Sequence, residues 1–597
     1  MFAACAADAE RTPFGVRAPA AGGSVAGGAG TAGASVAGAA ATGARDAGVA
    51  GTGLGGKTSA GGASNRGGSG AHGTTDAAGS GVDDAGAPSV GGAPGEAGSG
   101  DTPIGGFSGS AGRAMGGAAG RGGSGSVSIA VDDFADYQVV QRVPLGASQM
   151  VSVHGTLADS GMVARAIEAR VVDFATGAVE IVPWTSIVDA PTSSFSGELE
   201  VPEGGWYRIA VRAVDDAGTP IGDNVGTHRW GVGINILLIG QSNMVGNGNA
   251  HTYTPVTSDL SALYGNDNRW KHLADPYDGG GSPSDTDYDS WVGASLVPSL
   301  ANALAASFAS VPIGFVTAAR GSTPLHGTDD LAWVKRTAAN HADATNLYGN
   351  SLSNARAAGG IELVVMHQGE TDATDETSKE EYEADLQTLL AHYREDLYDT
   401  LPLFICQIGR STTTIADKNR TDEDLQPIRS AQHDSDDGSN VLLAAVAIDL
   451  PLDPTAADHY TKQGHDLLGP RIANAIGHYF GKSDYYRGPT LTSATFASSA
   501  HDVVEVHVQH RGGTDIAPPS GINGFQVLDD GSPVPVGAAT RKDASTISIA
   551  LGASISGVGS VRYLYGKLAV SSLSGAVHDN SDLVLPLEPT ATDLVVQ

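Results

Sequence analysis

Positive charge is scarce in this chain: its 597 residues include 34 Lys and Arg against 66 Asp and Glu, a formal net charge of −32. An acidic surface repels phosphate backbones, which argues against nucleic acid as a partner and suits a solvated, exported protein. Long apolar runs are missing too. No stretch reaches the roughly eighteen residues needed to cross a bilayer as a helix, so no spanning segment is expected. Zinc-ligand spacings, a Walker loop and a dinucleotide fingerprint are all absent, so neither a metal nor another cofactor is expected. Only two cysteines occur, Cys5 and Cys406. Cys406 lies inside the apolar run L-P-L-F-I-C-Q-I-G and reads as a small buried core residue.

Glycine, by contrast, is abundant at 83 residues, and the excess is concentrated at one end. From Ala20 to Ser126 the sequence is almost wholly Gly, Ala, Ser and Thr with scattered single charges. Such a segment has too little apolar surface to offset its ordering entropy, so residues 1–126 read as a disordered tether. The few charges there nearly cancel, so almost all of the negative charge belongs to residues 127–597.

From Val127 the pattern changes to period-two alternation, as in Q-M-V-S-V-H-G-T-L, A-R-V-V-D-F and W-Y-R-I-A-V-R-A-V. This predicts a small antiparallel β-sandwich over 127–232. At Ile234 an aliphatic run broken only by Asn235, I-N-I-L-L-I-G, begins a different regime. Apolar strand-like runs at Ile313, Glu362 and Leu403 then alternate with helical spacings at Pro298–Phe308, Tyr382–Tyr393 and His465–Ile476. Alternation of this kind predicts a parallel sheet covered by helices over 233–487. Short alternating strands, V-V-E-V-H-V and V-R-Y-L-Y-G among them, return over 488–597 and predict a second antiparallel β-sandwich.

In an open α/β sheet, ligands meet the carboxyl ends of the strands. Four polar pieces fall there: Gly240-Gln241-Ser242-Asn243, Arg320-Gly321-Ser322-Thr323, His367-Gln368-Gly369-Glu370-Thr371-Asp372 and Asp458-His459-Tyr460. Together they offer a nucleophile, a general base and hydrogen-bond donors for an oxyanion, the parts that acyl transfer needs. The common nucleophile elbow, G-x-S-x-G, does not fit, because Met244 stands where its second glycine belongs.

The pieces G-Q-S-N-M and Q-G-E-T-D resemble the signatures of the SGNH hydrolases, most closely the sialate O-acetylesterase-like branch that includes carbohydrate esterase family six. The resemblance covers roughly Ile234 to Phe480. It implies a three-layer, flavodoxin-like parallel sheet, and the flanking β-sandwich domains resemble those of some large members of the branch. Carried onto this chain, it makes Ser242 the nucleophile and His459 the general base. The oxyanion hole would then comprise the N–H groups of Ser242 and Gly321 and the side chain of Gln368. His465 falls where the branch has no catalytic residue. The branch places an aspartate three residues before the histidine, and here that position is Ala456. Asp458, Asp453 and Glu370 are the carboxylates at hand to support the imidazole or its loop, and a serine–histidine dyad with a backbone carbonyl is the alternative.

The implied activity is removal of O-acetyl groups from carbohydrate, polysaccharide or sialic acid, through an acyl-enzyme. Tyr277, Tyr288, Trp291 and Trp333 lie between the motifs and are candidates to stack on sugar rings. A surface carbohydrate-binding protein with weak or lost turnover is the competing reading, suggested by Ala456. The opening M-F-A-A-C resembles the end of a bacterial lipoprotein signal, which implies an extracellular or cell-surface protein lipidated at Cys5 if translation starts further upstream.

Overall fold

The computed structural model describes residues 126–597 except 159–162, 280–292, 338–340, 342–343, 413–421, 567 and 569–572. The tether expected over 1–126, with Cys5, therefore lies outside the described residues apart from Ser126, as do Tyr288 and Trp291.

Strands with one wet face are what the alternation after Val127 dictates. In chain order they are β1 (Ser128–Val131), β2 (Gln138–Gln141), β3 (Ser148–Ala158), β4 (Ala166–Asp173), β5 (Glu180–Asp189), β6 (Ser194–Pro202), β7 (Gly204–Val214) and β8 (Pro220–Val225). β1, β3 and β6 form one antiparallel sheet, while β4, β5, β7 and β8 pair in another. Along β7 the residues Tyr207, Ile209, Val211 and Ala213 are buried, and Arg208 and Arg212 between them are half-buried. The buried set packs on Val151, Val153, Phe195 and Leu199 of the facing sheet.

Next comes β9 (Trp230–Gly240), buried at every position. Its first residues pair with β2 and β7, at Trp230–Gly233 and Trp230–Val232. Its remainder pairs in parallel with two strands of a different kind. Those belong to a sheet made by β10 (Ser261–Tyr264), β11 (Trp270–His272), β12 (Ile313–Thr317), β13 (Leu363–His367), β14 (Leu403–Gln407) and β15 (Val441–Val446). Its order is β11-β10-β12-β9-β13-β14-β15, parallel throughout except for the β10–β11 edge pair.

Period-two geometry sends alternate residues of β9 to opposite faces. Ile236 and Leu238 meet α2 (Val297–Ser307) and α7 (Lys462–Tyr479) through Leu300, Leu304, Leu468 and Ile472. Leu237 and Ile239 share the other core with α3 (Leu347–Ala357), α5 (Lys379–Asp396) and α6 (Asp422–Asp434). Each such fully buried aliphatic side chain contributes about 1.5–3 kcal/mol. The helices start where their caps are. Ser378 and Glu381 form a reciprocal capping box on α5, and Thr461 accepts the Gly464 N–H at 3.2 Å to open α7.

The last region is antiparallel. A five-stranded sheet includes Thr490–Phe496, Val503–Gln509 and Thr546–Leu551, and a four-stranded sheet includes Phe525–Asp529 and Gly559–Tyr563. Their apolar faces, Val504, Ile547, Val561 and Tyr563 among them, belong to the same core cluster as Leu425 and Ile428 of α6. Among the described residues, no helix is long and apolar enough to cross a membrane.

Candidate active site

The chain leaves β9 at Gly240, whose φ is 136°. A Cβ there would sit 2.0 Å from the His367 carbonyl oxygen, so only glycine can make this turn beside β13. The Gln241 N–H then donates to that same carbonyl at 3.0 Å, and the short turn α1 (Ser242–Val245) begins. Ser242 is thereby held at the carboxyl edge of the sheet with 7% of its surface exposed.

His459 arrives from the loop between β15 and α7. This loop is drawn shut by a bridge between Leu452 and Tyr460, by Asp453 N–H donating to His459 O at 2.9 Å, and by Thr461 N–H donating to Pro451 O at 2.9 Å. The closure brings His459 Nε2 to 3.0 Å from Ser242 Oγ. Two residues separated by 217 positions in sequence thus stand at hydrogen-bonding distance, as a nucleophile and its base require.

The loop after β12 carries Gly321. It is tied to β9 by Arg320 N–H donating to Gly240 O at 3.0 Å. Thr323 braces it, donating from Oγ1 to Arg320 O at 2.8 Å and receiving Trp333 Nε1–H at 3.0 Å. Gln368, expected to donate its side-chain amide to the oxyanion, is instead wholly buried. Its Nε2 donates to Thr323 O at 3.1 Å and to Asp372 Oδ2, and its Oε1 accepts from Tyr382 Oη at 3.0 Å. A buried amide must satisfy its hydrogens locally, and here they go to the Gly321 loop, to Asp372 and, at 3.4 Å, to Gln241 Oε1. Asp372 also accepts from Leu325 N at 2.8 Å and His326 N at 2.9 Å. Burial pushes its carboxyl above the usual carboxylate range, against the pull of those hydrogen bonds.

The candidate carboxylates separate. Asp453 folds back on its own turn, accepting from Thr455 N at 2.8 Å and Thr455 Oγ1 at 2.7 Å. Asp458 precedes the histidine, and its backbone carbonyl accepts from Asn243 Nδ2 at 2.9 Å. Glu370, 3% exposed at the start of α4 (Glu370–Thr374), accepts from the same Nδ2 at 2.8 Å. Asn243 Oδ1 in turn accepts from Tyr460 N at 3.2 Å. Ala456 holds its loop through backbone contacts, with its N–H to Asp453 O at 3.2 Å and its carbonyl accepting from Thr412 Oγ1 at 3.2 Å.

Behind the site lie His367 and His465. Both are fully buried with neither ring nitrogen hydrogen-bonded, and desolvation pushes each imidazole down to about 3. His465 thus sits in the core rather than at the nucleophile. Tyr277 and Trp333 are not platforms for a sugar: both are fully buried, Tyr277 donating to Met244 O and Trp333 to Thr323. Among the described residues, no group of three His, Cys, Asp or Glu is placed to hold a metal.

Sequence reasoning singled out Ser242 and His459, which the fold brings to 3.0 Å, but assigned no task to Gln241 or Asn243. Gln241 Oε1 accepts from Gly369 N at 3.4 Å and Thr371 N at 3.2 Å, joining the first motif to the second. The available signal was two amides flanking a serine at the end of an apolar strand, where a wholly buried amide needs partners from another loop.

Residues 234–478 match the family model described as "Carbohydrate esterase, sialic acid-specific acetylesterase". No curated protein matches the chain. Among solved structures, a carbohydrate acetylesterase from Xanthomonas citri is similar in fold, with a TM-score of 0.51 and 19% identity, covering 76% of this chain and 97% of that one. A protein from Arabidopsis thaliana gives a TM-score of 0.33 and 24% identity, covering 41% of this chain and 98% of that one. NanS gives 0.30 and 14% identity, covering 42% of this chain and 98% of that one.

Proposed function

We propose, from the premise that residues 234–478 form a domain of the sialic acid-specific acetylesterase family of carbohydrate esterases and make this chain an esterase, that Ser242 and His459 remove O-acetyl groups from carbohydrate. His459 Nε2 takes the Ser242 Oγ proton as Oγ attacks the acetyl carbonyl. The tetrahedral oxyanion is received by the N–H groups of Ser242 and Gly321. Collapse sends the proton from His459 to the departing sugar oxygen and leaves an acetyl-serine. Water, deprotonated by His459, then releases acetate and restores the enzyme.

The observation that carries this reading is the 3.0 Å contact between Ser242 Oγ and His459 Nε2 at the carboxyl edge of the sheet. The same contact weighs against a carbohydrate-binding protein without turnover, which has no need to keep it. We assign Asp453 no part in orienting the imidazole, since its carboxylate is engaged by Thr455. The division into two β-sandwich domains around an SGNH-type centre, and export to the cell surface with a lipid on Cys5, belong to the same proposal. Intact-mass measurement of membrane fractions tests the lipid.

Ser242→Ala should lower p-nitrophenyl acetate hydrolysis by at least about a thousandfold with the melting temperature nearly unchanged, because a lone hydroxyl at a strand end adds little to the core. Activity within tenfold of the parent would remove Ser242 from the mechanism. Acetate release from acetylated xylan, pectin and sialic acid then identifies the sugar.

A further inference from the structure

We propose that Asn243 and Glu370 are positioning residues for the general base, together fixing the backbone on both sides of His459 relative to the serine. This rests on the Ser242–His459 reading and adds the device that makes it work. Asn243 follows the nucleophile directly, so one turn carries both. Its side chain reaches the peptide groups that bracket His459: Nδ2 donates to Asp458 O at 2.9 Å, and Oδ1 accepts from Tyr460 N at 3.2 Å. The remaining Nδ2 hydrogen goes to Glu370 Oε1 at 2.8 Å.

The oxygen and nitrogen of an amide are nearly the same size, so only the partners decide which way it faces. All three partners here demand one orientation. A carboxylate and a carbonyl can only accept, and a backbone N–H can only donate. Asn243 is fully buried and Glu370 3% exposed, so little water can compete. Glu370 thus locks the amide, and the amide locks the histidine's backbone.

The path from nucleophile to base then runs through one peptide bond and one side chain. Because the clamp acts on the main chain, it is independent of what the imidazole Nδ1 meets, which matters in a chain with Ala456 in place of the expected aspartate. It also divides the Q-G-E-T-D motif. Gln368 and Asp372 hold the Gly321 loop, whereas Glu370 serves the histidine side.

Misplacing a reacting group by about 1 Å costs on the order of a hundredfold. Asn243→Ala should therefore lower kcat about a hundredfold with KM within about threefold. Asn243→Asp would set two carboxylates against each other. Its kcat should rise as pH falls enough to protonate one of them, the reverse of the parent, whose base is lost on protonation. Adding Glu370→Gln should abolish that acid-favoured limb, since the new amide can donate to the carboxylate introduced beside Ser242.

Ser242→Ala, run alongside, separates the two ideas. If it inactivates the enzyme while Asn243→Ala keeps kcat within threefold, the clamp is wrong and the serine mechanism stands. If it leaves activity intact, the mechanism itself is wrong. Should Asn243→Ala fail to fold, Glu370→Met, which keeps the bulk and removes the acceptor, decides. A loss of about tenfold in kcat at unchanged KM supports the clamp, and parental kcat overturns it.

Discussion

The two β regions flanking the parallel sheet are joined to it by opposite means. The N-terminal region keeps a core of its own yet shares a strand: β9 pairs with β2 and β7 along its start and with β12 and β13 along the rest. The join is reinforced by a buried ion pair, with Arg142 Nε donating to Glu362 Oε2 at 2.8 Å and the two side chains 7% and 1% exposed. Among the described residues, the C-terminal region shares no strand with the central sheet but shares a core with α6. Side chains on α6 reach its backbone. Gln426 donates to Thr590 O at 3.0 Å, Ser430 donates to Ala591 O at 2.8 Å, and Arg429 donates to Gly566 O. The N-terminal join is thus a backbone ladder between separate cores, whereas the C-terminal join is a common core crossed by side-chain hydrogen bonds. Charge is buried at both joins, since Arg487 bridges Asp436 and Glu588 with 11%, 3% and 2% of the three side chains exposed, so the shared ladder is what sets the first apart.

Glu362→Ala is the sharpest way to break that contrast. It leaves the buried Arg142 guanidinium with only the partly exposed Glu203 as a carboxylate partner, and removing one partner of a buried pair costs up to about 3–5 kcal/mol. Urea unfolding should show that loss, and a change below about 1 kcal/mol would mean the ion pair is not what secures the N-terminal join.

Acid should strike the centre before the flanks. His367 and His465 are the fully buried imidazoles among the described residues, each pushed down to about 3. The unfolded chain takes up these protons near 6.5, so stability is complete above that and falls as pH drops toward 3. The slope is about 1.4 kcal/mol per pH unit for each ring, or about 3 kcal/mol each by pH 4.5. Calorimetry from pH 7 to 4.5 measures it, and His465→Phe should flatten the slope by up to half. A flat profile in the parent would contradict the neutral buried rings.

The smallest effect belongs to the C-terminal join. Arg429→Met keeps much of the side chain's bulk and loses its hydrogen bonds to Gly409 O and Gly566 O. We expect a loss of about 1–3 kcal/mol with parental kcat, the shared core holding the region in place.

Much of the centre could be read from the sequence because buried parallel strands are nearly continuous aliphatic runs, and Ile234–Ile239 is such a run with Asn235 as its one polar residue. The continuity of β9 across the expected boundary at residue 232 was not legible. Its first residues, W-G-V-G, look like a turn, yet Gly233 is there because a Cβ would lie 2.0 Å from Pro312 O. Close approach, not flexibility, selected that glycine. In the site, Ser242 and His459 stood out because nucleophile and base come in recognisable surroundings. Gln368 did not reveal its task, since an amide at a strand end reads the same whether it faces a substrate or the underside of a loop. Tyr277 and Trp333 misled for the same reason: a polar, loop-rich segment does not tell which of its aromatics it folds over.

A strand that serves two sheets also sets limits on how such a chain can be reshuffled. A recombination crossover placed at residue 232 would cut through a hydrogen-bond ladder and hand each product half of β9. To exchange the N-terminal region whole, the incoming piece must bring its own version of Trp230–Gly233 in register with Gln138–Gln141. Its last residues must also pass beneath Pro312 without a side chain. The C-terminal region faces no such constraint on register, and an exchange there must cover the apolar surface of α6, supply carbonyls for Gln426, Arg429 and Ser430, and set a carboxylate against Arg487. Of the two ends, the C-terminal one is therefore the freer to vary in lineage.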